Sequence, residues 1–183
     1  VRSRLMGIPT LISTATASNA TNVDITSGID STYDEYMFVF TDINPSSDDY
    51  EFTFQVNVAG ASGFDETMTT TLFSADHPED DSSTSLAYVT GNDQAQGTAY
   101  QTIAMNVGSG SDKSTAGILH LFSPSNTTFV THFYSRFNTL GGQNLSRDDF
   151  TAGYINATAA VDEISFKMSG GNFDGVIQMY GIA

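Results

Sequence analysis

The stretch that decides the fold class is Glu51-Phe52-Thr53-Phe54-Gln55-Val56-Asn57-Val58. Phe52, Phe54, Val56 and Val58 point one way and Glu51, Thr53, Gln55 and Asn57 the other. This is the period-two pattern of a strand with one face in a core and the other in water. The alternation recurs near the end of the chain, where Ile164, Phe166 and Met168 interleave with Glu163, Ser165 and Lys167. It recurs again where Phe129, Phe133 and Phe137 share a face with Thr131 and Ser135.

Two runs are apolar on both faces, Tyr36 to Phe40 and Ile118 to Phe122, as central strands covered on two sides would be. Further strands are expected over Thr10–Ala17, Asn22–Thr26, Met68–Phe73, Ser85–Thr90, Ala99–Val107, Thr151–Ile155 and Val176–Gly181. Turn-rich pieces separate them: Asn44 to Asp49, His77 to Asp81, Gly108 to Asp112, Gly141-Gly142 and Gly170 to Asn172. Roughly ten to twelve short strands with no helical segment predict an all-β protein, a β-sandwich of jelly-roll type. Residues 1–17 read as an N-terminal arm or first strand, and 18–183 as one sandwich domain.

Composition agrees. The 183 residues suit a single domain, and they include 23 Thr, 21 Ser and 16 Asp against 5 Glu and 2 Lys. Asp, Ser, Asn and Gly serve turns and Thr serves pleats, whereas Glu and Lys favour helix surfaces. Thirteen Phe and eight Tyr predict an aromatic core. Acids outnumber bases 21 to 6, for a net charge of −15. Such a surface lacks the clustered Lys and Arg that neutralise phosphates, so nucleic acid is excluded as the main partner, and anionic membranes repel it. With no cysteine, a disulfide scaffold, a thiolate metal site and a cysteine nucleophile are excluded.

Residues Val1 to Ala17 superficially imitate a secretory signal, but Gly7 and Pro9 interrupt the apolar stretch. No run reaches the ~18 apolar residues of a membrane span, so a soluble chain is expected. Arg2 and Arg4 stand beside Leu5, Met6, Ile8, Leu11 and Ile12, at odds with the acidic remainder. That contrast suggests an arm that docks on a partner or a neighbouring subunit; a frayed terminus or an ordinary first strand is the plain alternative.

The search for chemistry assigns no catalytic, cofactor-binding or metal-binding residue. Ser109 lies in Gly-Ser-Gly-Ser-Asp, which is not the G-x-S-x-G elbow of a hydrolase. His120 sits between leucines and reads as a hydrogen-bonded core residue, and His77 precedes Pro78 in an acidic loop. His132, Tyr134 and Arg136 share one strand face, a candidate polar contact surface, and no H-x-x-x-H or H-x-H pairing supports a zinc site. Asp48-Asp49 and Glu79-Asp80-Asp81 could offer calcium its hard oxygens, but neither matches a calcium-loop pattern, and a solvated loop tip is the simpler reading. Sequons at Asn19, Asn126, Asn144 and Asn156 are what chance yields in a chain this rich in Asn, Ser and Thr.

Two stretches carry a resemblance. Asn22–Pro45, with its Tyr33-Asp34-Glu35-Tyr36 lead into a buried strand, and Ala160–Ala183, with a glycine-bounded last strand ending Tyr180-Gly181, resemble small β-rich virion structural proteins of tailed bacteriophages. The middle of the chain has no such match. The resemblance implies a non-enzymatic structural or attachment role on the particle exterior, as a capsid-decorating cement protein or a tail appendage such as a fibre. It further implies a homo-oligomer, a trimer being one such assembly, in contact with virion proteins such as the major capsid protein and assembled in the host cytoplasm. A second reading is a glycan-binding attachment module using exposed Tyr88, Tyr100 or Tyr134, although the absence of Trp removes the largest stacking surface. A third, a polysaccharide depolymerase, would require carboxylates facing each other across a cleft.

Overall fold

The computed structural model describes residues 7–183; Val1 to Met6, and with them the basic part of the expected arm, lie outside the described residues. The strands are β1 (Thr10–Ala20), β2 (Val23–Ile25), β3 (Glu35–Pro45), β4 (Tyr50–Val58), β5 (Met68–Pro78), β6 (Ser85–Tyr88), β7 (Ala95–Gly97), β8 (Gln101–Val107), β9 (Thr115–Phe122), β10 (Thr131–Leu140), β11 (Leu145–Ile155), β12 (Val161–Met168) and β13 (Phe173–Ile182). No helix occurs among the described residues. A nine-stranded sheet runs β1-β13-β3-β9-β10-β11-β5-β6, with β7 also on β5, and a four-stranded sheet runs β2-β12-β4-β8. The pairings are antiparallel and the two sheets pack face to face as a β-sandwich.

The deciding stretch is β4, and its phenylalanines join the sheets. Phe52 meets Phe40, Phe137 and Phe173 of the large sheet at centroid distances of 5.5, 6.1 and 5.6 Å, and Phe166 of its own sheet at 6.1 Å. Gly117 makes room for this cluster, since a Cβ there would lie 2.5 Å from the Phe137 ring. Within the strands, Asn19 and Asp42 take left-handed backbone (φ 50° and 53°) where the β1/β13 and β3/β13 or β3/β9 registers shift. Asn and Asp tolerate that conformation better than most residues, so they suit β-bulges.

Asn22–Pro45 and Ala160–Ala183 are neighbours in space. β3 lies against β13, with Tyr36 opposite Gly181 and Glu35 opposite Ile182. The Tyr33 ring occupies the room a side chain at 181 would need, and it meets Tyr36 edge-on at 5.9 Å. Tyr36 is fully buried, and its hydroxyl accepts from Asp30 N–H at 2.9 Å while lying 3.0 Å from Asp30 O and Oδ1.

Several sequence expectations are corrected. Thr53, Gln55 and Asn57 do not face water: all are buried, because chain segments cross that face of the small sheet. Gln55 Nε2 donates to the carbonyls of Glu66, Thr98 and Ala99, and Glu51 accepts from Asn92 Nδ2 and Thr102 Oγ1. Phe129 precedes β10 and is exposed, outside the strand that buries Phe133 and Phe137. His77-Pro78 ends β5, which outlasts its apolar pattern because β11 pairs with it to Pro78. Thr10–Ala20 forms an ordinary edge strand on β13.

Candidate functional site

The sandwich is asymmetric outside its core. One outer face, over the small sheet, is sealed by polar crossing segments. Tyr100 belongs to that seal: its hydroxyl donates to Ser165 Oγ at 3.0 Å and Lys167 Nζ sits 3.8 Å over its ring. Burial raises its phenol pKa. Tyr100 is therefore no exposed sugar platform.

The outer face of the nine-stranded sheet carries no such cover. Residues directly opposite in an antiparallel pair share a face, so register alone assembles its rows. One row runs Tyr180, Met37, His120, Tyr134, Ala152, Thr71 across β13, β3, β9, β10, β11 and β5. A second runs Val39, Ile118, Arg136, Phe150, Phe73, Tyr88, and a third Glu35, Phe122, His132, Tyr154, Thr69. The expected grouping of His132, Tyr134 and Arg136 is thus present, inside a far wider aromatic field. Leu86 is 74% exposed and Tyr134 43%.

Ring contacts order this field. His120 stacks on Tyr134 at 4.7 Å with planes 22° apart, and Phe73 on Phe150 at 4.8 Å and 5°. Arg136 lies 4.9 Å over Phe150 while its guanidinium holds both oxygens of Asp148, Nη2 to Oδ2 at 2.7 Å. His120, expected as a core residue, is nearly buried, but on this outer face rather than between the sheets, where Nδ1 meets Glu35 Oε1. Between Tyr134 and Tyr154 lies a trough of about 450 Å³, floored by Ala152 and Thr71. A second depression of about 560 Å³ shares Phe122 and His132 with it and ends at Phe129.

Of the remaining candidates only Asn126, which lines the second depression, reaches this face. Asp48 accepts from Ser109 N–H at 2.6 Å and Oγ at 3.0 Å, bonds that hold its carboxyl below the usual carboxylate range. Ser109 is thereby a loop-closing residue with a carboxylate partner and no histidine beside it. Asp80 accepts from Ser82 N–H and Asp81 meets His77 Nε2 at 3.0 Å, so each acid serves its own turn. Among the described residues no group of three or more His, Asp or Glu could hold a metal ion. Asn126 caps its turn by accepting from Thr128 and Phe129 N–H.

One group the sequence did not single out is Asp149. It is fully buried between the sheets, its Oδ2 accepts from Met105 N–H at 2.7 Å, and its Oδ1 has no hydrogen-bond partner. Burial raises its pKa to about 7, against the Met105 bond and the nearby Arg147 guanidinium, which lower it. Arg147 itself is committed to Asp76 through two 2.8 Å bonds. A perturbed carboxyl in a cleft would suggest catalysis. Asp149 has no exposed surface at which a substrate could meet it, so the shift is a consequence of packing. Compared with protein-family models, curated proteins and solved structures, the chain matches none.

Proposed function

We propose that this chain is a non-enzymatic virion structural protein of a tailed bacteriophage, displayed on the particle exterior with the outer face of the nine-stranded sheet turned away from the particle. The observation that carries the reading is the uncovered aromatic face itself. A chain that seals one outer face with buried Gln and Thr hydrogen bonds, yet leaves Phe73, Leu86, Tyr88 and Tyr134 exposed on the other, keeps that surface for contact. The acidic net charge of −15 suits a solvent-facing position rather than contact with packaged DNA. The juxtaposed β3 and β13, which carry the resemblance to phage virion proteins, act as framework, and the basic, apolar Val1–Met6 sequence supplies the contact to the particle.

The test is immunogold labelling of purified particles with antibody to the folded chain, alongside particles carrying a Val1–Met6 deletion. Labelling of intact particles, lost on deletion, is expected. Particles that contain no copy of the chain overturn the proposal.

A further inference from the structure

We propose that the trough beside Tyr134 is a binding site for a neutral sugar ring. The inference rests on reading this face as the working surface. His120 covers one side of the Tyr134 ring, at 4.7 Å and 22°. Phe122, from the same strand as His120, also meets the Tyr134 ring, at 5.6 Å and 32°, whereas the register partners on the opposite side are the small Ala152 and, beyond it, Thr71. A flat ring of hexose dimensions needs such a half-covered platform: its C–H face lies on the tyrosine while its hydroxyls reach sideways. Thr71, His132 and Tyr154, which line the trough, carry the donors and acceptors those hydroxyls would need.

The volume of about 450 Å³ lies within the range of small-molecule sites. Charge selects the class of ligand. The residues lining the trough include no carboxylate, Lys or Arg, so a cationic peptide finds nothing to pair with, and the net charge of −15 repels phosphorylated, sulfated and sialylated ligands. An uncharged ligand with one apolar face and a polar rim remains. The second depression, continuous through Phe122 and His132 and ending at exposed Phe129, extends the path beyond one ring, which points to an oligosaccharide.

The test uses the full chain on an array of neutral gluco-, galacto- and manno-oligosaccharides printed beside sialylated and sulfated glycans, followed by calorimetric titration. Retention of a neutral series is expected. Tyr134→Ala removes the platform, with some loss of stability as the His120 stack goes, and Ala152→Leu fills the trough from an exposed position; each folded variant should bind at least about ten-fold more weakly, and Ala152→Leu should leave the melting midpoint in place. If Tyr134→Ala fails to fold, Ala152→Leu alone decides. No neutral glycan retained, stronger binding of the anionic glycans, wild-type affinity in a folded Ala152→Leu variant, or a sedimenting dimer that this variant dissociates would each overturn the sugar site. Particle labelling is independent: a silent array with labelled particles removes the sugar site and leaves the virion reading, and sugar binding with unlabelled particles does the reverse.

Discussion

Replacing Asp149 with Asn should stabilise the protein at pH 8 and weaken it by about 1–2 kcal/mol at pH 4, where the parent carboxyl is already protonated in the fold. In the fold the carboxyl titrates at about 7; unfolded, it returns to the ordinary aspartate value of 3.8. Between those values the native state holds a proton that the unfolded state has released. Stability therefore falls as pH rises from about 4 to 7, by ~1.4 kcal/mol per pH unit for this group, and is flat above. The full window is worth about 4 kcal/mol as an upper figure. Asn keeps an oxygen to accept from Met105 N–H and never has to carry a buried charge. Its amide hydrogens, placed where Oδ1 has no partner, cost about 1–2 kcal/mol, so a net gain of about 2 kcal/mol is expected at pH 8. Urea unfolding followed by circular dichroism from pH 4 to 9 reads the difference, and other titrating groups cancel between variant and parent. A difference that does not grow with pH, or a variant weaker than the parent at pH 8, would refute the argument.

Gly181→Ala drives a methyl into the Tyr33 ring and should cost about 1–3 kcal/mol in the same unfolding assay. Tyr36→Phe leaves the Asp30 N–H without its acceptor and should cost about 1–3 kcal/mol, with the Ile29–Thr32 amides exchanging faster by mass spectrometry. Phe52→Ala empties the junction of four rings and should cost about 3–5 kcal/mol, read as a lower urea midpoint. Gln55→Leu abandons three carbonyls and should speed amide exchange through 93–100 while leaving β10 protected.

The strands and the sandwich were legible in the sequence because apolar alternation reports directly which side of a strand is buried. Phe52 and Phe54 on β4, Phe133 and Phe137 on β10, and Ile164 and Phe166 on β12 all followed from it. Alternation says nothing about what covers the other side. Thr53, Gln55 and Asn57 look like solvent residues, yet Gln55 is met by carbonyls of Glu66, Thr98 and Ala99, and Thr53 and Asn57 bond to Lys167 and Glu163 of β12, partners that no local pattern announces. For the same reason the winding of the strands, jelly roll or otherwise, lay beyond the pattern. The candidate site was half visible. His132, Tyr134 and Arg136 shared a face by spacing, but their neighbours Phe150, Phe73, Tyr154 and Ala152 come from β5 and β11, whose registers no local signal specifies. Asp149 carried no signal either, since an acid beside another acid in Asp148-Asp149 reads as surface until Phe137 and Ser74 are known to flank it.

The central claim is that the aromatic face of the nine-stranded sheet is presented to solvent and does the protein's work. Hydroxyl-radical footprinting of intact particles, read at single aromatic residues, tests it directly. Tyr134, Tyr88 and Phe73 should react on the particle as readily as in the free chain, with Phe52 and Phe166 silent in both. Loss of reactivity at Tyr134 and Tyr88 on the particle would place that face against the shell and contradict the account.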